Sequence, residues 1–259
     1  MKKQSYILVG LLAMGLFAST AGATSLGSVR LRYSNCWPRR AGKTYLDDNY
    51  LGAFYTGTYR LQLDETTNHD PDSDGLPGEG EGELLYGQAD ANNIVKTYCA
   101  DIHQESSRHY EVYQVYDAWD ALRHDRAEDL AKLFEYKRNL VTDNNTAAAF
   151  QAAVWEIVNE TSGTYSLVRG ATDAGNFNMR YHWGSGWLGT ADGWLSDLGN
   201  YDVPDIELRV LVSPDAQDYA LWVPSTVPTG GQVPEPLTLI GVFGGVAGIG
   251  TYLRRRRKA

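Results

Sequence analysis

The sequence predicts an α+β domain that is mainly β: an antiparallel β-sandwich or barrel carrying an inserted helical subdomain at about residues 115–160. Three observations lead there. Apolar and polar residues alternate in several stretches between Ser28 and Cys99, apolar residues recur at helical spacing between Arg126 and Glu160, and the alternation returns after Gly163. Strands, then helices, then strands again fit an insertion into an antiparallel fold better than a βαβ repeat, in which single strands and helices alternate.

The first strand runs from Ser28 to Tyr33, where Val29, Leu31 and Tyr33 alternate with Arg30 and Arg32. Thr58 to Leu63 repeats the pattern through Tyr59, Leu61 and Leu63, and Glu83–Tyr86 and Asn93–Cys99 read as further strands. The period then changes. Arg126 to Leu140 sets Leu130, Leu133, Phe134 and Lys137 on one helical face, with acids near its start and bases near its end. Asp143-Asn144-Asn145-Thr146 supplies N-caps for a second helix, Ala147 to Glu160. Thr164–Arg169 and Asn176–His182 are expected to pair as a hairpin. Trp183–Trp194 is expected to form an irregular loop with one short helix, and Ile206–Val212 and Tyr219–Val223 the last strands.

Both ends carry a different composition. Lys2 and Lys3 precede an apolar run from Ile7 to Phe17, and Ala21-Gly22-Ala23 offers small residues for cleavage, so residues 1–23 read as a signal peptide. Residues 225–233 read as a linker. After it, Val233-Pro234-Glu235-Pro236 leads into Leu237–Leu253 without a charge, long enough for a short transmembrane helix, and Arg254–Lys258 are all basic. Seven of the 23 basic and one of the 32 acidic side chains fall in these two ends. The intervening body keeps 16 and 31, a net charge of −15 against −9 for the whole chain. So acidic a body argues against nucleic-acid binding, which calls for a basic face.

The C-terminal order of Pro234-Glu235-Pro236, apolar segment and basic cluster resembles the PEP-CTERM sorting signal. The resemblance implies an exported protein of a Gram-negative-type bacterium, anchored for a time in the inner membrane. An exosortase-type enzyme would then process it and pass it to the cell surface or extracellular matrix. The body is expected to span residues 24–224.

Within that body, Gln151 lies on a broad apolar face of the second helix, beside Ala148 and Ala152. A buried primary amide costs about 1–3 kcal/mol unless its hydrogen bonds are met, so it is either a satisfied core glutamine or a chemically altered one. Cys99 closes a buried strand. In an exported chain with one other cysteine, it could be disulfide-bonded to Cys36.

Tyr98-Cys99-Ala100-Asp101 and Phe150-Gln151-Ala152-Ala153-Val154-Trp155 resemble the two signature segments of class I thioester domains (TQXA-type) in bacterial surface proteins. The resemblance implies a cross-link between Cys99 and Gln151, formed with loss of ammonia, with Tyr98, Asp101, Phe150 and Trp155 around it. Such a bond removes the amide donor and stores an electrophile. An amine or hydroxyl group on a surface or matrix polysaccharide or protein would open it once, leaving Gln151 joined to the target and Cys99 free. That is adhesion by single-use acyl transfer, not turnover, and it requires no cofactor. Ser213-Pro214-Asp215-Ala216-Gln217-Asp218 also resembles the stretch that precedes the sorting tail in PEP-CTERM proteins. The other reading is a non-reactive structural or binding module, with Cys99 free or bridged to Cys36.

Asp70, Asp72, Asp74, Gly75 and Glu81 match a calcium loop at positions one, three, five, six and twelve, so calcium binding there is a further expectation, against that of a solvated acidic loop. Gly184–Gly189 spells GxGxxG without a βαβ setting and reads as a turn packed by tryptophans. His103 and His109 lie close to Cys99 in sequence, where they could assist acyl transfer or simply be exposed. The histidines show no metal-ligand spacing and no GxSxG is present, so a hydrolase is not expected.

Overall fold

In the computed structural model, the residues that can be described are 23–47, 49–64, 85, 88–161, 164–167, 177–180 and 186–223. They belong to one unit of the chain. The expected signal peptide, calcium loop, sorting motif and segment 237–253 lie outside them, as does nearly all of the strand expected at 83–86. Among the described residues no helix is long and apolar enough to cross a membrane.

Among the described residues, seven strands form a mainly antiparallel β architecture: β1 (Gly27–Leu46), β2 (Asn49–Leu63), β3 (Ile94–Cys99), β4 (Glu111–Asp117), β5 (Phe177–Arg180), β6 (Glu207–Val212) and β7 (Tyr219–Val223). Every strand pairing among the described residues is antiparallel. β1 pairs with β2 on one side and β4 on the other, and β2–β3–β7–β6–β4 completes the circuit. The sheet therefore closes on itself as a six-stranded barrel, which settles the sandwich-or-barrel alternative. β5 is added outside the circuit, along Lys43–Leu46 of β1. Closure removes free edges that would otherwise recruit another chain.

Register places paired residues on a common face. Cys36 opposes Tyr59, Tyr59 opposes Thr97, and Cys99 opposes Tyr219. With Val29, Leu31, Val95, Tyr113 and Val115, all buried, these side chains fill the barrel. Tyrosine rings pack there at a tilt, the Tyr59 and Tyr113 ring centroids each within 6 Å of that of Tyr219. Tyr98 points the other way, under the helices.

Those helices are α1 (Ala118–Ala121), α2 (His124–Lys137), α3 (Asn144–Asn159) and α4 (Gly186–Asp197). α3 begins at a capping box: the Asp143 carboxylate accepts the Asn145 and Thr146 N–H groups, and the Thr146 hydroxyl accepts the Asp143 N–H. Every residue of α3 from Ala147 to Asn159 is buried, so it is a central helix with no solvent face. Phe150 packs on Tyr98 with ring centroids 4.4 Å apart and meets Phe134 of α2 edge-on.

Several expectations are corrected. The helical insertion starts later than residue 115, because Glu111–Asp117 is β4. β1 and β2 run far beyond the expected strands as one long hairpin. Residues 164–167 are not a strand; β5 pairs instead with β1, and a backbone bond from the Met179 N–H to the Leu167 carbonyl joins it to that stretch. The tryptophan-rich segment yields a twelve-residue helix, and Gly186 and Gly189 of the GxGxxG run lie on it.

Candidate functional site

Cys99 is the last residue of β3, and what happens to its main chain follows from strand geometry. Alternate residues of an antiparallel strand direct both backbone groups to the same neighbour. The Ala100 N–H donates to the Asp218 carbonyl on the β7 side, so Cys99 faces the β2 side. There the β2–β3 ladder stops at Tyr59 and Thr97, which would leave the Cys99 N–H and C=O dry and unpaired.

Gln151 fills that place. Its Oε1 accepts the Cys99 N–H at 2.8 Å, and its Nε2 donates to the Cys99 carbonyl at 2.8 Å. The side-chain amide thus acts as one more peptide group in the ladder. Both residues are fully buried. Gln151 is held because α3 crosses the end of β3, with Phe150 stacked on Tyr98 beside it.

Trp155 lies four residues further along α3, on the same face. Its Nε1–H donates to Cys99 Sγ at 3.1 Å, and Phe54 meets its ring edge-on. The thiol in turn donates to the Asp101 carbonyl at 2.9 Å. Burial pushes the Cys99 thiol well above its ordinary pKa, and the nearby Asp101 and Asp218 carboxyls add to this against the Trp155 donor. The sulfur is therefore a neutral, dry thiol at physiological pH, oriented by one donor and one acceptor.

The structure thus brings Cys99, Gln151, Tyr98, Phe150, Trp155 and Asp101 into one place. Asp101 contributes through its backbone carbonyl, while its carboxylate accepts the His103 N–H. His103 and His109 are exposed, and the Cys99 sulfur has its contacts with Trp155 and Asp101 instead. Cys36 and Cys99 are both free, and β2 lies between their strands. The disulfide alternative is corrected accordingly. Burial raises the Cys36 thiol to about 12. Among the described residues there is no group of three or more His, Cys, Asp or Glu side chains able to hold a metal.

Two polar groups escaped sequence reasoning. The first joins the 101–106 and 213–218 loops beside the thiol. Gln217 Nε2 donates to the Asp101 carbonyl at 2.9 Å, Ser106 donates to Gln217 Oε1 at 2.6 Å, and the Tyr219 hydroxyl donates to Ser106 Oγ at 2.8 Å. Asp218 accepts the Ser213 N–H at 2.8 Å, and burial raises its carboxyl to about 7. In sequence, Gln217 and Asp218 stand out as members of the Ser213–Asp218 stretch and as polar residues abutting a buried strand, neither of which points to the thiol.

The second group lies along α3. Glu156 accepts the Ser166 N–H at 2.7 Å, Glu160 accepts those of Thr161 and Phe177, and Asp192 accepts that of Leu167. Arg126 donates to the Glu160 carbonyl and to the Tyr165 hydroxyl. Burial, reinforced by Glu160 and Asp192, raises Glu156 to about 8. These carboxylates hold the stretch after α3 onto the helical layer.

No protein-family model and no curated protein matches the chain. Among solved structures, it is similar to the N-terminal thioester domain of a surface protein from Clostridium perfringens, at 13% identity and a TM-score of 0.35, over 71% of this chain and 100% of that one.

Proposed function

We propose that the body is an exported surface module that attaches itself covalently, through a thioester between Cys99 and Gln151. The observation that carries this reading is the double hydrogen bond of the buried Gln151 amide to Cys99, with the Trp155 N–H on the same cysteine's sulfur. A bond forms from Sγ to the Gln151 amide carbon, the carbon–nitrogen bond breaks, and the thiol proton leaves with the NH2 group as ammonia. Oε1 keeps the Cys99 N–H, a donor already placed where negative charge develops in the addition step. An incoming amine or hydroxyl then attacks the carbon, the carbon–sulfur bond breaks, and the nucleophile's proton passes to Cys99. Each chain reacts once, and no cofactor enters the balance. Burial on all sides protects the ester from water until a target enters.

The rest of the reading follows the two ends of the sequence. A signal peptide exports the chain, the C-terminal segment anchors it in the inner membrane, and an exosortase-type enzyme releases it to the surface or matrix. There, polysaccharide or protein nucleophiles are its targets. Calcium binding by Asp70, Asp72, Asp74 and Glu81 is an independent stabilising element, and calorimetry with no calcium-dependent heat would remove it.

A second reading rests on the same hydrogen bonds. The Gln151 amide already satisfies both backbone groups of Cys99, which suits a non-reactive module in which Gln151 merely completes the sheet. Intact mass and thiol counting under denaturing conditions separate the two. The thioester gives a chain lighter by one ammonia with one titratable thiol, from Cys36. The non-reactive module keeps its full mass and both thiols. The Cys99→Ala variant should retain its ammonia in either case.

A further inference from the structure

The Asp101 carbonyl is the acceptor of the Cys99 thiol, and it carries a second donor, Gln217 Nε2, at the same 2.9 Å. Gln217 is itself buried and fastened at three points. Its N–H donates to the Glu105 carbonyl, its Oε1 takes the Ser106 hydroxyl, and Ser106 takes the Tyr219 hydroxyl. Tyr219 stands opposite Cys99 in the register of β3 and β7, so the chain of hydrogen bonds runs from the acceptor of the thiol to the residue across the sheet from the reacting cysteine. A carbonyl oxygen has two lone pairs. One holds the thiol proton and the other holds Gln217.

When the thioester forms, the thiol proton leaves with ammonia. Without Gln217, the Asp101 carbonyl would then be dry and unpaired, which is costly in a buried site. With Gln217 it stays paired throughout, and its hold on the thiol proton is weakened by sharing. We infer that Gln217 is a positioning residue for the Cys99–Gln151 reaction, acting through the Asp101 carbonyl to aim the sulfur and to keep that carbonyl satisfied once its proton has gone. The inference rests on the thioester reading. Ser106 serves it by holding the amide in the orientation that presents Nε2 to Asp101.

The test follows the loss of one ammonia by intact mass over time, in freshly produced wild-type protein and in Gln217→Met and Ser106→Ala. Thermal midpoints are measured in parallel for both substitutions in the Cys99→Ala background. Cross-link formation should slow about tenfold in Gln217→Met, as for one lost hydrogen bond, and by a smaller factor in Ser106→Ala. Formation at the wild-type rate in both variants, with midpoints lowered, marks a purely structural role and overturns the inference alone. A wild-type chain that never loses ammonia overturns it together with the thioester reading. Ser106 lies at the edge of the network, so its variant gives a readout even where Gln217→Met does not fold.

Discussion

The side-chain amide of Gln151 takes the place of a β-strand beside Cys99, giving and receiving one hydrogen bond of 2.8 Å on each side of the cysteine's main chain. The relationship is a product of topology. β2 leaves β3 after Tyr59, and α3 crosses at the gap, so the group that completes the ladder is also the one beside the sulfur. A glutamine that only needed satisfaction could find it anywhere in the helical layer. This one finds it at the single buried cysteine that ends a strand.

Gln151→Leu, made in the Cys99→Ala background so that no cross-link contributes, should destabilise the domain by about 3 kcal/mol. It leaves the residue-99 N–H and C=O buried without partners, each worth about 1–3 kcal/mol. Urea denaturation measures this. A change below about 1 kcal/mol would mean that the amide does not complete the sheet.

The carboxyls of Glu156 and Asp218 predict an unusual pH dependence. Burial raises Glu156 from 4.5 to about 8 and Asp218 from 3.8 to about 7. The folded state therefore binds more protons than the unfolded state between these values. Stability is greatest below the unfolded pKa values and falls as pH rises from about 4 to about 8, by about 1.4 kcal/mol per pH unit for each group. Asp101 and Asp192 are raised in the same direction. Glu156→Gln keeps an acceptor for the Ser166 N–H and should flatten the upper part of the profile. Wild-type stability that rises between pH 5 and pH 8 would contradict the assignment.

Trp155→Phe should preserve packing against Phe54 and remove only the donor to Cys99 Sγ. Without that N–H the sulfur loses the one group that favours negative charge on it. Cross-link formation is expected to slow about five- to tenfold, followed as ammonia loss by mass. An unchanged rate would reduce Trp155 to a packing residue.

How far these features could be read from sequence depends on which atoms carry them. Helices α2 and α3 were legible because their apolar residues recur at helical spacing and Asp143–Thr146 caps the second. Cys99 and Gln151 were legible as a pair only through the resemblance of their two segments to thioester-domain signatures; taken singly, each read as an ordinary buried residue. Gln217 was not legible as a contributor, because it acts on the backbone carbonyl of Asp101, which every residue type possesses. β4 was overlooked although Tyr113 and Val115 alternate with Val112 and Gln114, since it runs straight into helix α1. The β1–β2 hairpin was hidden by Pro38, Gly42, Gly52 and Gly57, which look like breaks in the alternation. Barrel closure depends on β1 pairing with both β2 and β4, and no local pattern encodes it.

Gly57 shows why one of those apparent breaks is required. It pairs with Arg39 across a register shift that begins at Cys36. A Cβ at this position would lie 2.1 Å from the Pro38 carbonyl oxygen and 2.8 Å from the Arg39 Cα, both backbone atoms that cannot swing aside. Gly57→Ala must therefore push β1 and β2 apart two residues before Tyr59, where β2 pairs with Thr97 of β3 close to Cys99. The expected cost is about 2–4 kcal/mol, with slower cross-linking because Tyr98 and the end of β3 shift together. Gly189→Ala supplies the contrast. It lies on α4 with nothing within 4 Å of the added carbon, and alanine's higher helix propensity should stabilise the domain by up to about 1 kcal/mol. Thermal melts of the two variants, alongside ammonia loss followed by mass, check both claims. If Gly57→Ala melted and cross-linked like the wild type, the close approach of the two strands would not be what positions the end of β3.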